Sequence, residues 1–154
     1  MDSVVVHDSA YAAATALAQA VTAVLARHGS CRLIHAMHAT SLASLRCDVL
    51  VVSSPTYRYR PTRRMRFLLG DLEPGSLAGR HAAAFDSRAQ VANWKSGSAA
   101  RVMARRLVSV GAKLVVAPES FFVEHVHGPL QEGELERAQR WAQRIATSVL
   151  AESL

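Results

Sequence analysis

The sequence predicts an α/β fold, a three-layer α/β/α sandwich built on a five-stranded parallel sheet with strand order 2-1-3-4-5. Short apolar runs alternate with stretches whose apolar residues recur at helical spacing, and this alternation is typical of βα units. The run Asp48–Val52 has four consecutive apolar residues, as expected for a strand buried on both faces. No linker, repeat or low-complexity stretch divides the 154 residues, so we expect a single domain over 1–154.

The first half of the chain is expected to contain three strands and two helices. The strands are predicted at Val4–Val6, Leu33–Ile34 and Asp48–Val52. The first helix carries its apolar stripe from Ala14 to Leu25, and the second begins after Pro61 and uses Met65, Phe67, Leu68, Leu69 and Leu72. These elements would form the first three strands of the sheet and two of the helices that cover it.

The second half is expected to complete the sheet and its outer layers. His81–Phe85 predicts the fourth strand, and Ser98 is a typical N-cap for a helix that ends near Gly111. Lys113–Val116 predicts the fifth strand, with Phe121–Val123 continuing it or pairing beside it. The last helix has its apolar face at Leu135, Ala138, Ala142, Ile145 and Val149.

The formal net charge of +6 comes almost entirely from arginine and is concentrated in one place. Five arginines, and no acidic residue, lie within 58–66. Such a segment is either a solvated basic face or an edge that binds a phosphorylated ligand, an acidic partner or nucleic acid. Tyr57 and Tyr59 are interleaved with the arginines, as suits single-stranded nucleic acid, but no recognition motif accompanies them, and nucleic acid is disfavoured.

Several classes of protein are excluded by the absence of their patterns. No apolar run approaches the roughly 18 residues of a membrane span, and an acidic Asp2 replaces the basic start of a secretory signal, which predicts a cytoplasmic protein. The sequence lacks the Gly-x-Ser-x-Gly of hydrolases and the Gly-x-Gly-x-x-Gly of dinucleotide-binding domains. Metal-type spacing is also missing among the cysteines and histidines, which include Cys31, Cys47, His35, His38, His125 and His127.

In a sheet of this order, ligands bind beyond the carboxyl ends of the strands, where the direction of strand succession reverses. The segments to inspect therefore follow Val6, Val52 and Phe85. They carry the motifs Asp8-Ser9-x-Tyr11, Ser54-Pro55-Thr56-Tyr57 and Asp86-Ser87. With these motifs, and with Phe121-Phe122-Val123, Gly128-Pro129-Leu130 and Trp141 in the tail, the chain resembles the flavodoxin family over nearly its whole length.

The resemblance implies a flavodoxin-like fold that binds FMN without a covalent bond and transfers electrons between redox partners. It assigns the FMN phosphate to the first loop, namely Asp8, Ser9, Ala10, Tyr11, Ala12, Ala13 and Ala14, extending to Thr15. It assigns the flavin ring to the second and third loops, namely Pro55, Thr56, Tyr57 and Arg58 together with Asp86, Ser87 and Arg88. Tyr57 would stack on the ring.

The first loop departs from the family pattern, which has a glycine, an asparagine-like residue and a threonine where this chain has Ala12-Ala13-Ala14. We therefore expect weakened phosphate binding, with Arg58 or Arg60 compensating. Arg63, Arg64 and Arg66 are expected to face outward on the second helix. In the third loop, Arg88 and the more distant Trp94 stand where the family usually has a second aromatic ring.

Three functions remain open on the sequence alone. The first is an FMN-binding electron carrier; because the carrier itself is basic, either its redox partner is acidic or it serves a different redox system. The second is an FMN-dependent NAD(P)H reductase, in which Arg58, Arg60 and Arg63 would bind the nucleotide phosphate. The third is an interaction module that has lost FMN. We expect no membrane association, and either a monomer or a homodimer.

Overall fold

The computed structural model describes residues 1–9, 11–90, 97–125 and 128–154. The strands are β1 (Ser3–His7), β2 (Cys31–His35), β3 (Val49–Pro55), β4 (His81–Ala89), β5 (Lys113–Leu114) and β6 (Glu119–Val123). The helices of the described residues are α1 (Ala12–Leu25), α2 (Arg63–Gly70), α3 (Ala99–Ser109) and α4 (Glu134–Glu152). Short 3₁₀ turns at Ala26–His28 and Ala36–His38 flank β2.

The sheet is parallel and has the predicted order β2-β1-β3-β4-β5, with β6 added beside β4. The apolar run predicted as a doubly buried strand lies at the centre as β3, where Val51 pairs with Val5 on one side and Ala83 on the other. Residues Val49–Val52 are fully buried, which confirms the prediction for this strand.

The fifth strand is shorter than the sequence indicates. Only Lys113–Leu114 forms β5, and the later apolar run becomes β6, which pairs with the far end of β4 from Phe85↔Glu119 to Ala89↔Val123. Pro118 lies between the two segments and has no N–H to donate to a ladder. The predicted five-stranded sheet is therefore extended by a sixth strand, which resumes pairing on the same side of β4.

Alternating residues of the strands build one core on each face of the sheet. Val4, Leu50 and Val52 face α2 and α3, whereas Val5 and Val51 face α1 and α4. On the second face, edge-on contacts join three buried rings at centroid distances of 5.4–6.1 Å, and these rings are Phe85, Phe121 and Trp141. This is the predicted three-layer α/β/α arrangement.

Strands β3 and β4 continue into segments that the sequence predicts as loops. Ser53, Ser54 and Pro55 pair with Phe85, Asp86 and Ser87, and β6 extends the pairing of β4 to Ala89. The ladder persists because each strand finds a parallel neighbour over its full length. The second and third candidate segments thus begin on rigid strand ends rather than in free loops.

Candidate functional site

The carboxyl ends of β1, β3 and β4 surround a cavity of about 430 Å³, hereafter the strand-end cavity. Its size falls within the range of small-molecule sites in proteins, about 300–1,000 Å³. All three segments predicted from the sequence contribute to its lining, which includes Tyr11, Ala13, Ala14, Pro55, Thr56, Tyr57, Ser87 and Arg88. The fold therefore brings these eight predicted residues together at the edge where α/β sheets bind ligands. Five other predicted residues that the structure describes do not line the cavity, namely Asp8, Ser9, Ala12, Arg58 and Asp86.

A more open groove of about 550 Å³ lies on the outer side of α3, between that helix and Leu114 and Pro118. It is lined by Ala104, Val108 and two arginines, Arg101 and Arg105, and receives no residue from the ends of β1, β3 or β4. Because it lacks convergent polar groups from several elements, we assign the candidate site to the strand-end cavity.

The N-terminus of α1 opens toward this cavity. Tyr11 occupies the N-cap position in an extended conformation, its side chain makes no capping hydrogen bond, and the first turn has no acidic residue. Among the described residues, no side chain accepts a hydrogen bond from the backbone N–H groups of Ala12, Ala13 or Ala14. These donors and the positive end of the helix dipole favour an anion at this position.

The first turn of α3 is fully capped, and that of α2 is capped at one amide. Thr62 accepts from the Met65 N–H in α2, and Ser98 accepts from the Arg101 N–H in α3. Thr56 and Asp86 accept from the two preceding amides of α3, those of Ala99 and Ala100. Of these three helices, α1 is the one without a side-chain cap among the described residues, so its N-terminus is the candidate anion-binding end of the cavity.

A polar network lies beneath the α1 loop. The His7 Nδ1 is 2.9 Å from the Ser9 Oγ, and the His35 Nε2 is 3.4 Å from the Ser9 carbonyl oxygen and 3.9 Å from the Asp8 Oδ1. The Thr62 hydroxyl donates a short hydrogen bond to the other oxygen of Asp8. Ser9 and Asp8 are thereby fixed from β1, β2 and α2 together.

The His7 side chain is nearly buried, with 6 % of the residue exposed. Burial lowers its pKa, the neighbouring His35 lowers the pKa further, and Asp8 partly opposes both effects. His7 is therefore held in its neutral form at neutral pH in the ligand-free protein.

The segment after β3 forms a tight turn that carries Tyr57. The N–H and carbonyl groups of Tyr57 and Arg60 exchange two hydrogen bonds, of 2.9 and 3.2 Å, around Arg58 and Tyr59. Both central residues have positive φ, 47° and 74°, the pattern of a type I′ turn that is usually built from Asn and Gly. Gly97 pairs with Tyr59 from the other side, and a Cβ at Gly97 would lie 2.6 Å from the Tyr59 Cα.

This turn leaves Tyr57 at the cavity and 62 % exposed, with the Arg58 guanidinium 5.5 Å from its ring centroid. The ring is free to receive a flat ligand on its cavity side without losing a buried contact. Arg58 and Arg60 are exposed, as is Arg63 at the start of α2.

Asp86 is fully buried, and its carboxylate is directed toward the N-terminus of α3. Its Oδ2 accepts from the hydroxyls of Thr56 and Ser98 at 3.0 and 2.8 Å, in addition to the Ala100 N–H. Its Oδ1 has no hydrogen-bond partner among the described residues and lies 4.0 Å from the Arg88 Nε. The carboxylate thus holds the third segment to α3 and the second segment, while Ser87 and Arg88 reach the cavity wall.

One arginine of α2, Arg64, departs from its predicted outward orientation, whereas Arg63 and Arg66 are exposed. The Arg64 side chain donates to the carbonyl oxygens of Ala36 and Ala39, the first at 3.0 Å, and the Arg66 Nε donates to the Pro61 carbonyl at 3.2 Å. Carbonyl groups at the end of the 3₁₀ turn need donors, and Arg64 supplies them. The predicted site residue Ala10 and the predicted ring partner Trp94 lie outside the described residues.

The cavity also contains residues that the sequence analysis does not assign to the site, namely Thr62, Ala89, Val123 and Gly128. Val123 and Gly128 reach the cavity because β6 extends the sheet beside β4, and the local sequence does not predict this arrangement. The His7–His35 pair has a signal that pattern reading passed over, since each histidine ends a strand and parallel register places such ends side by side.

No group of three potential metal ligands occurs among His, Cys, Asp and Glu of the described residues. Within the same residues, none of the helices is long and apolar enough to cross a membrane.

The fold and the cavity together define an α/β domain with a candidate ligand site at the switch point of a 2-1-3-4-5 sheet. No protein-family model and no curated protein matches the sequence. Among solved structures, the chain is similar to oxidised flavodoxin 1 from Bacillus cereus, with a TM-score of 0.81, 16 % identity, and 96 % of this chain and 98 % of that chain covered. This chain therefore has a flavodoxin-like fold.

Two further structures carry the same fold in other settings. The WrbA-like flavodoxin from Agrobacterium tumefaciens has a TM-score of 0.75 and 17 % identity, with 97 % and 98 % of the two chains covered. The rubredoxin oxygen:oxidoreductase from Desulfovibrio gigas has a TM-score of 0.78 and 18 % identity; 98 % of this chain is covered but only 36 % of that one.

Proposed function

We propose that this protein is a single domain over 1–154 that binds FMN without a covalent bond in the strand-end cavity and carries electrons between redox partners in the cytoplasm. The observation that supports this best is the open N-terminus of α1 facing a cavity that Tyr57 borders on another side. One end suits a phosphate and the other a flat ring. When bound, FMN supplies the redox chemistry that no side chain of the cavity provides.

For the phosphate, the residues of the proposed site are Asp8, Ser9, Ala10, Tyr11, Ala12, Ala13 and Ala14. The donors would be the backbone N–H groups of the α1 loop and the Ser9 hydroxyl. The missing side-chain donors have a cost, since each hydrogen bond to a charged acceptor contributes about 1.5–3 kcal/mol. Losing two of them weakens binding by about two to four orders of magnitude. We therefore expect moderate rather than tight FMN binding.

For the ring, the proposed site consists of Pro55, Thr56, Tyr57 and Arg58 on one side and Asp86, Ser87 and Arg88 on the other. Tyr57 would stack on the ring, which adds about 0.5–1.5 kcal/mol beyond the burial of apolar area. Asp86 acts indirectly, because its buried carboxylate holds Thr56 at the cavity wall. A stacked tyrosine also disfavours negative charge on the reduced ring.

The surface around the cavity supports an acidic redox partner. Tyr59, Arg58, Arg60 and Arg63 are all exposed next to Tyr57. Arginine and tyrosine are enriched at interfaces, and complementary charge speeds association. Electron transfer to the partner should therefore slow as salt is added, because exposed charges are screened over about 8–10 Å.

A titration of the purified protein with FMN, followed by quenching of flavin fluorescence, tests the proposal. Tyr57→Ala should weaken FMN and riboflavin alike, by about three- to tenfold, because the ring contact is common to both. Tyr59→Ala is the matched control, since Tyr59 is equally exposed, at 59 %, but does not line the cavity. Absence of binding at millimolar FMN would contradict the proposal and favour an interaction module without cofactor.

The exposed arginines also suit a second candidate function, the FMN-dependent NAD(P)H reductase. Arg58, Arg60 and Arg63 are exposed on and beside the Tyr57 turn and would bind the nucleotide phosphate. Steady-state oxidation of NAD(P)H by the FMN-loaded protein distinguishes the two functions, because a carrier requires a separate reductase and shows no turnover of its own.

A further inference from the structure

The hydroxyl of Ser9 is committed to a histidine in this structure. Among residues 8–14, Ser9 and Tyr11 are the hydroxyl-bearing side chains, and the Ser9 Oγ lies 2.9 Å from the Nδ1 of the nearly buried His7. The His7 and His35 rings meet edge to face at a centroid distance of 4.9 Å. Ser9 can donate to an anion only if the His7 Nδ1 is the donor of the pair.

The His35 ring is oriented by its own contacts. Its Nδ1 accepts from the Met37 N–H at 3.1 Å. Its Nε2 points to the Ser9 carbonyl oxygen and to Asp8. His35 is thus a positioning residue for the loop, and His7 is the histidine that contacts the Ser9 hydroxyl.

The His7–Ser9 pair has two arrangements. In the first, the Ser9 hydroxyl donates to an unprotonated Nδ1, and no Ser9 proton is available to a ligand. In the second, the Nδ1–H of His7 donates to the Ser9 Oγ, and the hydroxyl proton turns away. A doubly protonated His7 permits only the second arrangement and adds a positive charge beneath the loop.

We propose that His7 is a phosphate-site residue that takes up a proton from solvent when FMN binds, and so turns the Ser9 hydroxyl toward the phosphate. The inference rests on the proposed binding of FMN in the strand-end cavity. Protonated His7 and the Ser9 hydroxyl would then provide charge-assisted hydrogen bonding from below the loop, in place of the side-chain donors that Ala12, Ala13 and Ala14 lack.

The charged and titratable groups near His7 agree with this role. Asp8 on the same loop favours protonation, whereas His35 from β2 opposes it. The His38 ring lies beyond His35, with 6.3 Å between the two ring centroids. The guanidinium of Arg64 from α2 donates to the carbonyl oxygens of Ala36 and Ala39. Burial keeps the pKa of His7 below that of an ordinary histidine until an anion arrives, and a nearby dianion raises it.

The test is a histidine-ring NMR titration from pH 5 to pH 8 of the free protein, the riboflavin complex and the FMN complex. The His7 signals are assigned by their loss in His7→Asn, with His28→Asn as the control for a half-buried histidine paired to Gln143. We expect the His7 pKa to be higher by about one unit or more with FMN than with riboflavin, which corresponds to at least a tenfold gain in FMN affinity on acidification.

Two variants separate donation from protonation. His7→Asn keeps an N–H in the place of Nδ1, so it should retain FMN binding at pH 7.5 but lose the gain at low pH. His7→Gln places its amide near the position of Nε2 and should bind FMN more weakly at both pH values. The phosphate of FMN itself titrates near pH 6, and the difference between wild type and His7→Asn removes that contribution, which both share.

The outcomes distinguish the two proposals. If FMN and riboflavin bind but His7 has the same pKa with both, the role of His7 is overturned while the proposed function stands. If neither flavin binds, both proposals fail.

Discussion

Three consecutive alanines give the α1 loop its unusual character, because they preserve backbone donors and remove side-chain ones. Restoring one donor is a direct test at the residue scale. Ala13 is half-buried at the cavity wall, so Ala13→Asn adds an amide without opening the core. FMN should bind about 10- to 100-fold more tightly, since one hydrogen bond to a charged acceptor contributes about 1.5–3 kcal/mol.

Fluorescence titrations with FMN and riboflavin measure this change. Riboflavin has no phosphate, so its affinity should stay the same. Ala16→Asn, one turn further along α1 and outside the strand-end cavity, provides the control for helix propensity. An equal gain for both flavins would contradict a phosphate contact at Ala13.

A second residue, Gly97, determines the shape of the Tyr57 turn. Its φ is +69°, and an added Cβ would approach three Tyr59 atoms at 2.6–2.8 Å. Gly97→Ala should therefore displace the turn, weaken flavin binding, and lower the free energy of unfolding by about 2–4 kcal/mol.

Gly75→Ala separates the two causes of that loss. Gly75 has a similar φ of +77° but no neighbour within 4 Å of an added Cβ, so its substitution carries backbone strain alone. Urea denaturation of both variants should show the smaller loss for Gly75→Ala, with flavin binding unchanged. Equal losses would mean that the Tyr59 contact does not matter.

At the scale of elements, the start of α3 is the junction between two of the three cavity segments. Asp86 accepts from Thr56, Ser98 and the Ala100 N–H, and it is fully buried. Asp86→Ala leaves these donors unpaired and should lower the free energy of unfolding by about 3–5 kcal/mol.

Urea denaturation followed by circular dichroism measures the loss, and the exposed Asp71 provides Asp71→Ala as a control with an effect below about 0.5 kcal/mol. If Asp86→Ala were as stable as the control, the carboxylate would not be a structural anchor of α3.

The elements also reveal how far sequence patterns reach. Buried strands are predicted correctly from two continuous apolar runs, Val4–Val6 and Val49–Val52, because such runs are typical of a sheet covered on both faces. The start of α3 is predicted correctly from Ser98, because its hydroxyl caps the first turn. The break between β5 and β6 could not be predicted, because it depends on the pairing of β6 with the far end of β4, and residues distant in sequence form this pairing. The Tyr57 turn has no Asn-Gly signal and forms because Gly97 pairs with Tyr59. Arg64 turns inward for carbonyl groups on a distant segment.

At the scale of the whole molecule, stability should fall on acidification in two stages. His7 has a folded-state pKa below its unperturbed value of 6.5, so from that pH downward the unfolded chain binds a proton that the ligand-free folded chain resists. A second loss of stability follows as the pH falls below 4.5, the unperturbed pKa of a glutamate, because Glu134 and Glu152 have lowered pKa values in the folded chain. Burial alone would raise the pKa of Glu134, but hydrogen bonds from Arg137 and the Phe122 N–H lower it overall. Hydrogen bonds from Lys113 and His81 lower the pKa of Glu152.

Urea midpoints of the ligand-free protein at pH 7.5, 5.5 and 3.5 check this expectation. The midpoint should decrease at each step, and His7→Asn should reduce the first decrease but not the second. A wild-type midpoint that rises between pH 7.5 and 5.5 would contradict a neutral, buried His7.

Both ends of the chain lie at the edge of the sheet where the strands begin, which is the edge opposite the strand-end cavity. Asp2 bonds to Asp48 just before β3, and Glu152 near the C-terminus reaches His81 and Lys113, the first residues of β4 and β5. A tether at either terminus, whether to another protein or to an electrode, would thus leave the mouth of the cavity pointing away from the attachment. Fusion of a carrier domain before Met1 or after Leu154 should leave the flavin dissociation constant unchanged.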